Sequence, residues 1–600
     1  MRCYDYFFGF VILSHVQCDI SLRALSKLYF PSSYGDGTPI FEADGPMGAE
    51  QLAYDNTTKI IYTVGGAGFL HFVDISNPNE AKLIGHTDVG METIDLSFCG
   101  GYIAVVARAK FANMRSKVLI YERYNAEKDN VTKVNEIEVG FQSSSYIQFL
   151  SNCQTILVSN EGEAGKSSNG TFFDPEGSVS IIRFSTKDLS GNFTNTEIGF
   201  TQYNSRWNEF VAKGVRYVFR NSTFSQDLEP EFMAINSDET IAYVSLQENN
   251  AIAVLNISAN AIEGIHGLGR KDWSKSRFDA SDKDGGINMQ PWAVYGLYQP
   301  DNIRLMQFKG EDYIVTANEG DKKSYKMDDD GIDWSESTRA KKIAKDLDGS
   351  RGEAFREAMT DDKKLGRLTV SSIDGKNGTN KYKDIYTYGG RSFSIFKMVD
   401  LSLIYDSDDN IEQQHANSSL YGRLFNCDNY EASKTPVETF DKRSDNAGPD
   451  TESAEVATVG DTVYIFIGNE RTSSIMIYSV SGDSIEPKFE GIHRAGGQET
   501  KYDMLYSQRN TGDLDPEGLK FVQASESPNG KPLLLVVGSQ SSTLSVYEVE
   551  FFSSVPTSPP TCPPLGDRST PTSRSSCLNQ LNLILMVSMV ATLTFSFVGK

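Results

Sequence analysis

The sequence of 600 residues is poor in histidine, with six, and its seven cysteines never form a C-x-x-C pair or sit beside histidine at zinc-ligand spacing. Small zinc modules and thioredoxin-like redox chemistry are therefore excluded. There is no phosphate-binding G-x-x-x-x-G-K loop and no serine-nucleophile motif, so general-base capacity rests mainly on carboxylates. Positive charge is also short: 57 Lys plus Arg stand against 80 Asp plus Glu, a net charge of -23. That balance argues against nucleic acid as a partner and favours cations or simple solubility. Long amphipathic helical patterns are scarce as well, which leaves short β-branched and aromatic runs as the main core-forming signal.

Long apolar runs occur at the two ends. Residues 1–18, "MRCYDYFFGFVILSHVQC", fit a removable signal peptide. Residues 578–600 contain "LNLILMVSMVATLTFSFV" with Gly599 and Lys600 after it, and 553–577 form a Pro/Ser/Thr-rich stalk with small residues. This arrangement predicts a GPI anchor, with Ser573 chosen over Ser569 and Ser575, and a retained tail helix as the alternative. The expected location is the outer leaflet of the plasma membrane, or secretion if no anchor is added. Secretion gives meaning to eight N-x-Ser/Thr sequons, at Asn56, Asn130, Asn169, Asn192, Asn221, Asn256, Asn377 and Asn417. Removing the leader and the C-terminal propeptide takes Cys3, Cys18 and Cys577 and leaves Cys99, Cys153, Cys427 and Cys562. Cys99 and Cys153 occupy the same hairpin-turn place in successive repeats and are expected to pair.

Between the ends a unit recurs: an acidic or Pro-acidic lead, an apolar strand, a polar turn, a second strand, an Asn/Glu/Gly turn, a third strand and often a fourth. "LEPEFMAINSDETIAYVSLQENNAIAVLNIS" (228–258) shows it, and seven such units can be traced. The spacing predicts an all-β fold, a seven-bladed β-propeller over 35–550, with insertions at about 186–226, 322–366 and 400–448. The charged 322–366 stretch predicts a partly helical insertion in blade 5. The third strand of that blade is expected near 365–373, with "GGRSFSIFKM" as an outer strand.

In such a blade the start of the first strand and the turn between the second and third share one face. The leads supply Glu231, Asp301 and Glu517, with Glu229, Glu452 and Asp515 beside them; the turns supply Glu161, Glu163, Glu248, Glu319, Asp321 and Glu470. Converging carboxylates repel unless cations neutralise them, and oxygen-seeking divalent cations suit the set, calcium being the extracellular candidate. Arg391, Arg443 and Arg471 are open to two roles, as ion-pair partners or as phosphate ligands. A second acidic group, "DASDKDGGIN" (279–288), places Asp282 and Asp284 like two ligands of a calcium loop, but Ala280 and Pro291 stand where its end ligands belong. "DDDGID" (328–333) is a similar, weaker pattern.

The motifs "NEGE...DPEGSVSII", "LEPEFMAINSDETIAYVSLQENNAIAVLNI", "DASDKDG", "YQPDNI", "YIVTANEGD", "GGRSFSI", "DKRSDNAGPD", "GNERTSSIMIY" and "GDLDPEGLKFV" follow one another in order over nearly all of 35–550. Together they resemble the mesenchyme-specific cell surface glycoproteins of biomineralising animals and their bacterial choice-of-anchor relatives. The resemblance implies a GPI-anchored, glycosylated propeller associated with calcium carbonate skeleton or shell, with calcium or a mineral-associated matrix as partner. Some bacterial relatives carry phosphatase or phytase-like labels, so the alternative is a metal-dependent phosphoesterase at the same face; a platform for an extracellular protein partner is the third reading. Two places depart from the family pattern. "GPDTESAE" offers Glu452 or Glu455 where Pro-Glu is expected, and the last turn, "SQSST", has neutral Gln540 in place of an acid.

Overall fold

A computed structural model describes residues 20–552, apart from 44, 143, 328–331, 429–430 and 432. The leader, the stalk with Cys562 and Ser573, the C-terminal apolar segment and most of "DDDGID" lie outside the described residues. Among the described residues no helix is long and apolar enough to cross a membrane.

The architecture is all-β and propeller-like. Among the described residues, seven sheets have four antiparallel strands each, and six of them are laid down in simple chain order. Their first strands are Gln51–Asp55, Glu92–Cys99, Ser144–Phe149, Pro230–Ile235, Ile303–Phe308, Thr451–Val459 and Pro516–Val522. Each first strand neighbours the next, and the seventh neighbours the first. The inner strands are buried on both faces, which is why they read as continuous apolar runs instead of alternating ones. In Tyr102–Arg108, Ile103, Val105 and Ala107 pack toward the first sheet, while Ala104 and Val106 pack toward the third. A separate apolar cluster fills the space between every successive pair of sheets, including the seventh and the first. Each Ile, Leu or Val so buried contributes about 1.5–3 kcal/mol.

The seventh sheet is completed from the other end of the chain. Ile20–Tyr29 pairs antiparallel with Thr543–Phe551, from Ile20 opposite Phe551 to Tyr29 opposite Thr543. The expected boundary at residue 35 omits this strand because "ISLRALSKLY" is mostly half-buried and is interrupted by Arg23 and Lys27, the weak pattern of an edge strand.

Two of the insertions are shorter than expected for the same reason. Phe193–Gly199 is the outer strand of the third sheet, and Leu403–Asp406 that of the fifth. The first is largely exposed and mostly polar, and the second, Leu-Ile-Tyr-Asp, is only four residues long with Leu403 and Ile404 exposed, so both look like loop. The true excursions start after them and carry only short helices, such as Trp207–Val211 and Asn410–Asn417. In the fifth sheet the third strand is Ser392–Lys397, not the 365–373 segment; Thr369–Ser371 instead pairs with Ser337–Arg339 inside the insertion. That insertion is partly helical, with Ala340–Ile343 and Glu353–Thr360, and shares a core with Trp273 and Phe278 from the 271–296 segment.

Cys99 and Cys153 are disulfide-bonded, with Cα atoms 5.3 Å apart, linking the first hairpins of the second and third sheets. Cys427 is buried, and burial pushes its thiol up to about 12.

Candidate metal centre

Three of the acidic leads, those of the fourth, sixth and seventh sheets, share a backbone device. In the sixth sheet Thr451 pairs with Asn469 and Ser453 with Gly468, so Glu452 is an extra residue; in the seventh, Pro516 pairs with Gly538 and Gly518 with Val537, which makes Glu517 extra. The fourth sheet has one extra residue between Pro230 and Met233, the interval that holds Glu231. A bulge of this kind frees one residue from the strand alternation and re-aims its side chain. Asp515 sits just before its bulge at φ 57°, and the Glu517 amide donates back to the Asp515 carbonyl at 2.9 Å. The proline of the lead therefore fixes a kinked entry, and the acids beside it point to one place.

The turn acids arrive by a second device. Asn160, Asn318 and Asn469 end the second strands of the third, fifth and sixth sheets. Their side-chain amides hold serine hydroxyls on the third strand: Ser178 and Ser180, Ser392 and Ser394, and Ser474. These asparagines lock strands. The residues just after them, Glu161, Glu319 and Glu470, are delivered to the rim. Gly320 follows at φ 97°, and a Cβ there would lie 2.0 Å from the Gly389 nitrogen, so the turn requires glycine.

Two carboxylate trios result. One oxygen from each of Asp301, Glu319 and Glu452 lies within 4.8 Å of the other two, and the same holds for Glu452, Asp515 and Glu517. Gln247 donates to Glu319 at 2.7 Å, Gln51 to Glu517 at 3.3 Å, and the Ser539 hydroxyl to Asp515. The Oε2 atoms of Glu231, Glu248 and Glu452 and the Oδ1 of Asp515 are buried without a hydrogen-bond partner among the described residues. Burial, then repulsion from neighbouring acids, holds the carboxyls of Glu231, Asp301, Glu319, Glu452, Glu470 and Glu517 well above the usual range. Burial likewise pushes Glu50 and Glu248 up to about 8, Glu50 with help from Asp515. Buried anions this close require protons or cations.

Other expected ligands are used differently. Glu163 is exposed and pairs with Arg108 at 3.0 Å, and Glu161 accepts from the Ser145 hydroxyl at 2.8 Å. Glu470 pairs with Arg471 at 2.9 Å. Asp321 is exposed, although its charge is the first neighbour to raise Glu319. Asp282 is removed from the metal set by Arg367 at 2.7 Å and by Lys283. Asp284 instead joins Asp279 and Asp441 in a third trio. Burial pushes Asp279 up to about 7 and Asp441 up to about 8. Asp441 comes from a distant segment, "DKRSDNAG", and no local spacing could have paired it with Asp284. The arginines with two open roles are ion-pair partners: Arg391 holds Glu412 at 2.7 Å, and Arg443 and Arg471 hold Asp450 at 2.6 and 3.2 Å. Glu455 lies 3.9 Å from Arg304 and accepts from the Phe521 amide, which leaves Glu452 as the acid that replaces the expected Pro-Glu.

This order of leads, strands and acidic turns has a counterpart among known proteins. A profile of the choice-of-anchor I domain matches residues 50–483. The chain belongs to that family. Gigasin-3a of Magallana gigas is 36% identical over 189 residues, 31% of this chain and 64% of its own length. A mesenchyme-specific cell surface glycoprotein of Strongylocentrotus purpuratus is 31% identical over 314 residues, 48% of this chain and 40% of its own. The chain thus spans less than two thirds of either relative. Among solved structures, Kuenenia stuttgartiensis hydrazine synthase matches 90% of this chain and 99% of its own at 10% identity; its TM-score of 0.40 carries no argument.

The departure of this choice-of-anchor I domain at "SQSST" has a structural answer. The position that carries asparagine in the sixth sheet is Gly538 in the seventh, where a Cβ would lie 2.8 Å from the Asp513 Cα. Asp513 enters that space and accepts from the hydroxyls of Thr543, Ser545 and Tyr547. The first acid of "DLDPEG" therefore takes over the strand lock, and Asp515 and Glu517 are left to the rim.

Proposed function

We propose that this chain is an extracellular, surface-anchored glycoprotein that binds divalent cations, calcium foremost, in the acidic mouth of a seven-bladed propeller. The observation that carries the cation reading is the set of buried carboxylate oxygens, on Glu231, Glu248, Glu452 and Asp515, that have no hydrogen-bond partner. Hard oxygen donors suit calcium, which takes 6–8 such ligands at about 2.3–2.6 Å. Seven inter-sheet cores and the pairing of Ile20–Tyr29 with Thr543–Phe551 support closure into seven blades. Six of the eight sequon asparagines are exposed, Asn256 and Asn377 being half-buried, which supports glycosylation, as does the name of the sea urchin relative. Anchoring through Ser573 rests on the C-terminal sequence, and a calcium-rich mineral matrix as partner rests on the family resemblance.

Calorimetric titration of the intact chain with calcium chloride tests the reading. Heat of binding by about millimolar calcium, with a rise in melting temperature, is the expected result. Neither signal at that concentration overturns it.

A further inference from the structure

The two trios at the mouth share one residue. Asp301, Glu319 and Glu452 form one; Glu452, Asp515 and Glu517 form the other. The acids come from the fifth, sixth and seventh sheets, with Glu452 on the middle one. Resting on the cation-binding reading above, we propose that the mouth holds two divalent cations side by side, bridged by Glu452. Asp301 and Glu319 complete one position, and Asp515 and Glu517 the other.

Three observations carry this. Single oxygens of Asp301, Glu319 and Glu452 lie within 4.8 Å of one another, and so do those of Glu452, Asp515 and Glu517, but the five acids do not form one such group, so one ion at one centre does not gather them. Asp515 is 7% exposed; Ser539 satisfies its Oδ2, while among the described residues its buried Oδ1 has no hydrogen-bond partner, and neither has Glu452 Oε2. The remaining contacts have the form of outer-shell support for a metal. Glu319 and Glu517 are each oriented by a glutamine amide, and Asp515 by a hydroxyl. Neutral donors fix a carboxylate's direction and leave its charge for a metal.

Charge gives the same count. Five carboxylates, four half-buried and Asp515 buried, keep three negative charges around one dication and one around two. Nearby side-chain cations pair with other acids: Lys323 with Glu229, Arg108 with Glu163, Arg443 and Arg471 with Asp450, and Arg304, whose charge also acts on Asp301, with Glu455 at 3.9 Å. Each ion would retain open positions for water or an oxyanion, since calcium takes 6–8 ligands and magnesium demands near-octahedral geometry.

The test is calcium-binding stoichiometry on the full chain, read as differences between variants, with calcium chloride as the probe. Glu319→Gln and Glu517→Gln each lose one calcium per chain relative to wild type; the double variant and Glu452→Gln lose two. If both single variants and the double variant lose the same one calcium, the bridge is overturned and the cation reading stands. Unchanged stoichiometry in all four overturns both. Crystals of the wild-type protein grown in calcium decide independently of variant folding. Two anomalous peaks about 3.5–4 Å apart beside Glu452 support the bridge, and a single peak or none overturns it.

Discussion

Residues 229–231 and 515–517 carry nearly the same three letters, Glu-Pro-Glu and Asp-Pro-Glu, at equivalent places in the fourth and seventh sheets. In the fourth, Glu229 is 2% exposed and the Lys323 ammonium lies 2.6 Å from it, held also by the Asp227 carbonyl at 2.7 Å. In the seventh, Asp515 takes a serine hydroxyl and Glu517 a glutamine amide. The lead is therefore a geometric device for aiming carboxylates, and neutralisation is arranged separately. The insertion of the fifth sheet, which begins beside Glu319, supplies the ammonium to the fourth. On the proposed cation reading, the charge of the seventh is left for an ion from solution.

The largest expected effect comes from breaking the neutralised side. Lys323→Met leaves Asp227 and Glu229 buried without their cation and costs about 3–5 kcal/mol, as removal of one member of a buried pair does. Thermal unfolding in excess EGTA measures it. Calcium is not expected to restore the loss, because Glu229 belongs to neither trio. Full restoration by calcium would erase the distinction between the two leads.

Next in size is pH. Glu50 and Glu248 titrate near 8 in the folded chain against about 4.5 unfolded. A raised acid pKa means the folded state binds the proton more tightly, so its contribution is fully present below the unfolded value and is lost as pH rises through the folded one. Cation-free protein is therefore expected to melt higher at about pH 6 than at about pH 8.5, over the window those shifts set. With calcium the order flattens or reverses, since cations compete best when protons leave. Melting curves in EGTA and in calcium across that range decide, and a calcium-free profile that rises with pH contradicts the repulsive mouth.

How far the sequence discloses this differs from element to element. Inner strands are legible because burial on both faces leaves unbroken runs such as "YIAVVA". Outer strands such as "NFTNTEIG" are half exposed and pass for loop. Pro-acidic leads mark the rim because the device is local. The partners are not local: Lys323 is 94 residues from Glu229 and Arg367 is 85 from Asp282, so which acids are neutralised within the fold is settled by tertiary approach. Asp513 shows the reverse case, a residue in the quoted motif whose work is strand locking because Gly538 makes room for it.

Glu231→Gln and Glu517→Gln sharpen the comparison from the metal side. Each removes a like charge from a repulsive set and is expected to stabilise cation-free protein by about 1 kcal/mol, the usual gain when a residue selected for binding is relieved of it. They part on adding calcium. Glu517→Gln loses part of the calcium-induced rise in melting temperature, whereas Glu231→Gln, outside both trios, keeps most of it. Equal losses would spread the site around the whole rim.

The smallest effects belong to exposed acids of the same motifs. Glu163 and Asp321 occupy equivalent places in "NEGE" and "NEGD", and both face solvent. Asp321→Asn and Glu163→Gln are expected to change cation-free stability by less than about 0.5 kcal/mol, the latter because an exposed pair such as Glu163 with Arg108 is worth little. Asp321→Asn still weakens calcium binding modestly and salt-dependently, because its charge acts on Glu319 through solvent at the mouth. Titration at low and high salt separates the two: a deficit for Asp321→Asn that closes at high salt marks long-range attraction, and one that persists would make Asp321 a direct ligand.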